Sequence, residues 1–381
     1  MAKRKFVPIV EESPQSREAI HGRGASWNPA NRFEKLHLDL TGTDFVDDDP
    51  EKHGWTASVP TLDATDRVPP IATQYFDDKT KTIIAHNQSP DVGFESSINP
   101  YRGCEHGCIY CFARPTHEYL GFSAGLDFES RIMVKRDAPR LLEAELSSPK
   151  WKPKLLMMSG VTDCYQPIER KLKITRGCLE VLAKFRNPVG ILTKNRLVTR
   201  DIDVLSELAK HKAVVVNLSV TSLDRELQRI LEPRTSMPLA RLDAVSQLRA
   251  AGIPVGVMVA PVIPGINDHE IPKIVEACGK AGAQFAGHVL LRLPWAVAPL
   301  FEHWLDEHFP ERKGKVLERV RAFRGGKLYD SQWRKRQIGE GFFAEQIGNL
   351  FDIACRRAGM TDRPKLSTSA FQRPRQQLEM L

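Results

Sequence analysis

RGCEHGCIYCF, residues 102–112, places Cys104, Cys108 and Cys111, three of the chain's seven cysteines, inside eight positions. Thiols this close share one task. A disulfide uses two, and a reducing compartment disfavours it. A structural zinc site uses four ligands, and His106 or His117 would complete a Cys3His set. Zinc motifs usually come as two ligand pairs, however, and no second cysteine pair stands elsewhere in the chain. A [4Fe–4S] cluster takes four cysteines, one per iron. Three leave one iron with an open coordination position, where a small molecule can bind and react. The triplet therefore reads first as a ligand-holding cluster, with zinc as the alternative.

The rest of the composition fits an intracellular enzyme. Hydrophobic residues make up 41% and charged residues 27% of 381, ordinary for a globular chain. The start, MAKRKFVPIVEESPQS, is basic but has no apolar core of a signal peptide. The longest apolar run, Ile253–Ile266, is too short to span a bilayer and carries three prolines. The expected location is the cytoplasm, with no membrane partner. The formal charge is +8, and residues 311–381 alone hold 16 Lys/Arg against 8 Asp/Glu. The basic excess thus lies wholly in the C-terminal part, with clusters at Arg334-Lys335-Arg336 and Arg356-Arg357. It reads either as a solvated helical face or as a surface for a polyanion such as nucleic acid.

From Lys154 onward, short β-rich runs alternate with helix-length amphipathic segments. Strands are expected at Leu155–Ser159, Val189–Thr193, Ala213–Val220, Val255–Val262 and Phe285–Leu293, and a sixth before the cysteines at about Phe94–Ile98. The intervening helices carry apolar residues at helical spacing: Cys178, Leu182 and Phe185, then Ile202, Leu205 and Leu208, then Leu242, Val245 and Leu248. Asp268 is placed to cap a further helix bearing Ile271, Ile274, Val275 and Cys278. Such alternation means parallel strands joined by helical crossovers. Periodicity alone does not separate a barrel from an open doubly wound sheet. The expected organisation is a largely irregular extension over 1–88, draped through Trp27, Phe33 and Leu36, then a core over 89–295. A basic, mainly helical region over 296–381 follows, with a frayed tail from about Thr361.

CEHGCIYCF resembles the signature of the radical S-adenosylmethionine (SAM) superfamily, C-x3-C-x-aromatic-C, with Tyr110 in the aromatic slot. The resemblance implies an α/β chain folded as a partial (β/α)6 TIM-like barrel. Its implied cofactors are one [4Fe–4S] cluster on Cys104, Cys108 and Cys111, and SAM bound at the open iron. It also implies a reducing partner of the flavodoxin or ferredoxin kind. The implied reaction cleaves SAM to methionine and a 5′-deoxyadenosyl radical that takes hydrogen from substrate. The pieces CIYCF, SGVTDCYQPIE, ILTKN and VNLSVTS are most similar to the spore photoproduct lyase-like branch. By that likeness Thr162 falls on a residue contacting the SAM amino group and Ser219 on one near the methionine carboxylate. Lys194 falls on the branch's lysine, and Tyr110 and Phe112 on aromatics beside the cluster and adenine. Asp163 joins this cofactor-binding set, at the end of the same strand as Thr162.

One position departs from the branch. The lyases carry a hydrogen-donor cysteine two residues before the amino-contacting residue, where this chain has Gly160. Cys164 is the remaining candidate donor. Cys178, Cys278 and Cys355 read as core. Weaker candidates are Glu232 and Arg234 in LEPRTS, and His288 with Arg292, four apart and expected on one strand face. Asn267 and Asp268 are further candidates for the adenine or ribose. The expected function is a radical SAM enzyme acting on a nucleic acid in the manner of photolesion repair. The alternatives are radical SAM chemistry on RNA, protein or a small molecule, and a non-catalytic zinc or iron–sulfur nucleic-acid-binding module.

Overall fold

Six parallel strands decide the architecture: β1 (Ser96–Ile98), β2 (Leu156–Met158), β3 (Val189–Thr193), β4 (Val214–Ser219), β5 (Val255–Val262) and β6 (Phe285–Leu290). The computed structural model describes residues 20–33, 71–333, 335–361 and 363–374. Each strand pairs with the next in chain order, and Ile84–His86 adds an antiparallel strand beside β1. Strand order without reversal excludes the doubly wound sheet. The edges Ile84–His86 and β6 do not pair with each other, so the barrel is partial.

Pleating gives the sheet two unlike faces. On one, Ile98, Met158, Ile191 and Val216 stand in register and are fully buried under the helices. These helices are α1 (Ala138–Ser147), α2 (Ile174–Phe185), α3 (Ile202–Lys210), α4 (Pro238–Ala250) and α5 (Ile271–Lys280). Burying each such side chain contributes about 1.5–3 kcal/mol. The other face is the lumen. Its rows run Ser97–Met157–Gly190–Val215, then Leu192–Asn217–Gly256–Phe285, then Ser219–Met258–Gly287. Ser97, Leu192, Met258 and Gly287 there are only half-buried, so the lumen is accessible. Gly256 is required by close packing: a Cβ would stand 2.1 Å from the Phe285 ring.

Three expectations need correction. The extension is not irregular throughout: Gln74–Asp77 pairs with Arg131–Val134, and Ile84–His86 belongs to the barrel sheet. Leu36 and the acidic run Asp47–Glu51 lie outside the described residues. Asp268 does not cap α5, which starts at Ile271 with Pro272 in its first turn; the Asp268 carboxylate only accepts from the next backbone N–H, at 3.1 Å. The tail is not frayed as far as Pro374. It crosses the base of the barrel, with Thr361 N–H donating to Gln284 O at 2.8 Å and Ser367 N–H to Lys212 O at 2.9 Å. Gln372 N–H reaches Phe185 O at 3.0 Å, and the Phe371 ring lies 6.2 Å from that of Phe185. Helices α6 (Val297–His308), α7 (Pro310–Ala322) and α8 (Phe342–Arg357) form the C-terminal part. No helix of the described residues is long and apolar enough to cross a membrane.

Candidate active site

The cysteine loop follows β1 at the C-terminal ends of the strands, where barrel active sites assemble. It has little regular structure of its own, so its backbone groups must be satisfied from elsewhere. Arg114, fully buried, does much of this. Its Nε donates to Cys108 O at 3.0 Å, its Nη2 to Gly107 O at 3.3 Å, and its Nη1 to Gly125 O at 2.9 Å. Its charge is met by the equally buried Glu129 at 2.5 Å. Glu129 also accepts from the backbone N–H of Gly24 and Ala25, at 3.0 and 2.8 Å. Residues 23–32, RGASWNPANR, are thereby strapped across the loop. Gly24 is obligatory at the crossing, because a Cβ would meet Gly107 O at 1.7 Å.

Neither histidine is offered as a fourth ligand. His106 is sandwiched by its two ring nitrogens, Nδ1 3.3 Å from Asp163 Oδ2 and Nε2 3.3 Å from Asn195 Nδ2. His117 is fully buried between Phe122 and Phe128, with centroids 5.3 and 5.6 Å away. Burial pushes its pKa down to about 4. Among the described residues no three His, Cys, Asp or Glu side chains converge as ligands of a single ion. Cluster ligands bind different irons and are spread apart. Three thiols, with both His106 nitrogens engaged and His117 boxed between aromatic rings, fit a [4Fe–4S] cluster that keeps one iron open. Burial raises the pKa of all three thiols, Lys194 partly offsetting this at Cys108 and Cys111. Cluster assembly on this loop therefore displaces protons from neutral thiols.

Glu232 is the electrostatic centre of the mouth. Its buried carboxylate accepts from Tyr110 Oη, Thr221 Oγ1 and Arg241 Nη2, and lies 3.2 Å from Lys194 Nζ. Burial alone would raise its pKa; Arg241 and Lys194 with these hydrogen bonds more than offset it and hold the carboxyl ionised. The same segment ties backbones together. Ile109 N–H donates to Leu231 O at 3.1 Å, Arg234 N–H to His106 O at 3.3 Å, and Ser236 N–H to Lys194 O at 3.2 Å. LEPRTS thus couples the cysteine loop to the end of β3.

The expected cofactor residues divide by how occupied they are. Thr162 donates to Gly103 O at 2.6 Å and accepts from Gln166 at 3.2 Å, which leaves acceptor capacity on its oxygen. Ser219 is nearly unengaged, with its nearest acceptor, Ala260 O, at 3.5 Å. Lys194 Nζ contacts Thr221, Ala260 O and Glu232 and lies 5.6 Å from the Tyr110 ring centroid. Asp163 is saturated by Thr193, Tyr165 N–H, Lys194 N–H and His106. It acts as a clamp between strand ends and the cysteine loop, not as an open ligand. Phe112 is exposed, with the Arg292 guanidinium 4.8 Å over its ring.

Cys164 is corrected. It is fully buried, its backbone N–H and carbonyl held by Ser159 and Thr175, and burial raises its thiol pKa well above normal. Gly160, by contrast, faces the lumen, with Ser97 Oγ 3.4 Å from where a Cβ would stand. His288 and Arg292 do not share a face, because β6 is irregular after His288 and ends at Leu290. His288 packs on Phe351 of α8 at 4.5 Å, whereas Arg292 turns to the mouth. Arg234 holds the N-terminal strap through Gly22 O and Thr73. Asn267 staples loop backbones at Ile263, Thr221 and Pro261. Sequence reasoning missed Arg241, although it falls on the apolar stripe of α4 with Ala244, Val245 and Leu248, a legible signal. Arg114 and Glu129 gave no such signal.

The family model described as the radical SAM superfamily matches residues 98–278. An uncharacterized protein of Mycobacterium tuberculosis is 37% identical over 242 residues, 62% of this chain and 71% of that protein. One of Methanocaldococcus jannaschii is 30% identical over 238 residues, 62% of this chain and 85% of that one. Among solved structures, spore photoproduct lyase complexed with dinucleoside spore photoproduct gives a TM-score of 0.54, covering 75% of this chain and 80% of that chain at 15% identity. At that identity the likeness is one of fold. With the three-thiol loop at the mouth of a partial barrel, these findings place the chain in the radical SAM superfamily, with the fold of spore photoproduct lyase and with a [4Fe–4S] cluster and SAM as its cofactors.

Proposed function

We propose that this enzyme takes a hydrogen atom from a nucleic-acid substrate at the mouth of its barrel, and that no cysteine of its own returns one. The observation that carries the second part is the fate of the seven cysteines. Three form the cluster loop, Cys164, Cys178 and Cys278 are buried in the core, and Cys355 lies on α8. Gly160 stands where the lyases carry their donor. The lyase-like return of hydrogen from a protein thiol therefore lacks its thiol here.

When bound, the cluster delivers one electron to SAM and so supplies the 5′-deoxyadenosyl radical. The chain's own residues position and shield. Cys104, Cys108 and Cys111 hold the cluster, with Arg114 and Glu129 fixing their loop. Thr162 and Ser219 present hydroxyl oxygens with spare capacity to the ammonium and carboxylate of SAM. Lys194 supplies positive charge for that carboxylate, held in place by Glu232. Tyr110 and Phe112 wall the site with apolar surface, which keeps water from a reactive radical. A flavodoxin- or ferredoxin-like protein is the proposed reductant.

The nucleic-acid part draws support from the solved lyase, which holds a dinucleoside photoproduct, and from the Arg292 guanidinium over Phe112 at the mouth. The test supplies reduced, reconstituted enzyme with oligonucleotides deuterated in the sugar and base methyl positions, with and without ultraviolet treatment. Deuterium in 5′-deoxyadenosine is expected. Its absence with every strand, while SAM is still cleaved, would direct the reading to a protein or small-molecule substrate. Repair confined to irradiated strands and dependent on Cys164 would contradict the assignment of that thiol.

A further inference from the structure

Four segments distant in sequence bring aromatic rings to one rim of the mouth, three of them exposed and Tyr329 half-buried. Phe33 comes from the N-terminal strap and Tyr119 from the turn after the cysteines. Trp295 follows β6, and Tyr329 follows α7. Tyr119 is 71% exposed, Trp295 58% and Phe33 50%. Water-exposed faces of this size are costly unless something covers them.

These rings are joined through arginine. The Arg32 guanidinium lies 4.2 Å from the Trp295 centroid, 4.8 Å from Phe33 and 5.5 Å from Tyr119. Phe33 and Tyr119 are themselves 4.9 Å apart, and Trp295 is 5.7 Å from Tyr329. Arg292 continues the line to Phe112, itself 48% exposed, with its guanidinium 4.8 Å over that ring. The arginines differ in their charge balance. Arg32 is paired with Glu118 at 3.1 Å, so it serves mainly to hold rings. Arg292 has no acidic side chain within ion-pair distance among the described residues, and its buried Nε has no hydrogen-bond partner. Arg324, a buried guanidinium near Arg292, has an unpartnered Nε as well but spends its other nitrogens on the carbonyls of Leu290, Leu291 and Lys335. The rim therefore offers flat apolar faces beside the Arg292 guanidinium, which Asp91 influences at longer range without forming an ion pair with it.

We propose that this rim is a docking surface for a single-stranded nucleic acid, its unpaired bases stacking on Tyr119, Phe33 and Trp295 and a phosphate meeting Arg292. This rests on the nucleic-acid reading above and sharpens it: the strand enters unpaired, and the mouth binds it, not the basic C-terminal helices. Stacked bases present the π-face the rings need, and a phosphate carries the counter-charge that Arg292 lacks within ion-pair distance among the described residues. A duplex hides its base faces, so it satisfies only half of the surface. The line of rings is longer than one base covers, which favours a strand over a mononucleotide.

The test is fluorescence anisotropy of the reconstituted, unreduced holoprotein with a labelled mixed-sequence 12-mer, alone or as a blunt duplex. Inorganic polyphosphate of equal charge serves as competitor. The single strand is expected to bind about tenfold or more tighter than the duplex. Trp295→Leu and Tyr119→Ala should each weaken it about tenfold, and Arg292→Gln should weaken it and flatten its salt dependence. Tyr119 and Trp295 are exposed, and a melting temperature checks that their variants fold. Equal affinity for the duplex, indifference to both aromatic substitutions, or competition by polyphosphate as strong as by the unlabelled strand would overturn the proposal. In each of those cases deuterium transfer from a strand would still stand, so failure of the rim is distinguishable from failure of the nucleic-acid reading. No binding of any strand overturns both.

Discussion

Both ends of the barrel carry chain from outside it, and that chain is fastened by different physics at each end. At the base, Thr361 and residues 363–374 lie along the strand starts with backbone hydrogen bonds and an aromatic contact, Phe371 on Phe185. At the mouth, the strap of residues 23–32 is fastened by fully buried charge, Glu129 with Arg114. A buried ion pair is an expensive fastening and adds little net stability over apolar packing. What it adds at the mouth is geometry: one guanidinium fixes two carbonyls of the cysteine loop, Gly107 and Cys108, and ties them to those of Ala124 and Gly125. The chain at the base needs only to be fastened, whereas the mouth must hold three sulfurs in place.

The sharpest way to break the comparison is at the sulfurs. Cys108→Ala should reduce iron and sulfide bound after anaerobic reconstitution to background, as read by metal analysis and the visible cluster absorption. No substitution at the base should have that effect. Next in size is Arg114→Ala, which strands Glu129 as a buried charge without its partner. A loss of about 3–5 kcal/mol is expected in urea denaturation, with cluster loading lost as well.

His117 sharpens the contrast through pH. Its folded pKa, about 4, lies below the ordinary 6.5 because burial disfavours the charged ring. Between those values the unfolded chain takes up a proton that the folded chain refuses, so stability falls as pH drops through that window. His117→Phe keeps the aromatic packing and removes the proton. The variant should be within about 1 kcal/mol of the parent at pH 7 and gain roughly 2 kcal/mol relative to it at pH 5. The smallest effect belongs to the base. Phe371→Ala, at a half-buried position, should cost about 1–2 kcal/mol and leave cluster content unchanged.

What the sequence revealed follows the same division. The barrel strands were legible because β-rich runs and amphipathic helices alternate at regular spacing, and β3 and β5 fall on their expected residues. The cysteine triplet was legible because its spacing is local. The strap and the base segment were not, since each is ordered by partners far away in sequence and has no periodicity of its own. Cys164 misled for a related reason. Its place near the mouth in sequence says nothing of direction, and the turn after β2 points its side chain into the core. Glu232 was only a weak candidate because its partners, Tyr110, Lys194 and Arg241, come from three other segments.

The most direct test of the account is SAM cleavage itself. The full chain, reconstituted without oxygen and reduced, is incubated with SAM, and 5′-deoxyadenosine is measured by chromatography. The account predicts its formation in the parent and its loss in Cys104→Ala. A fully cluster-loaded parent that forms no 5′-deoxyadenosine, with or without oligonucleotide, would contradict it.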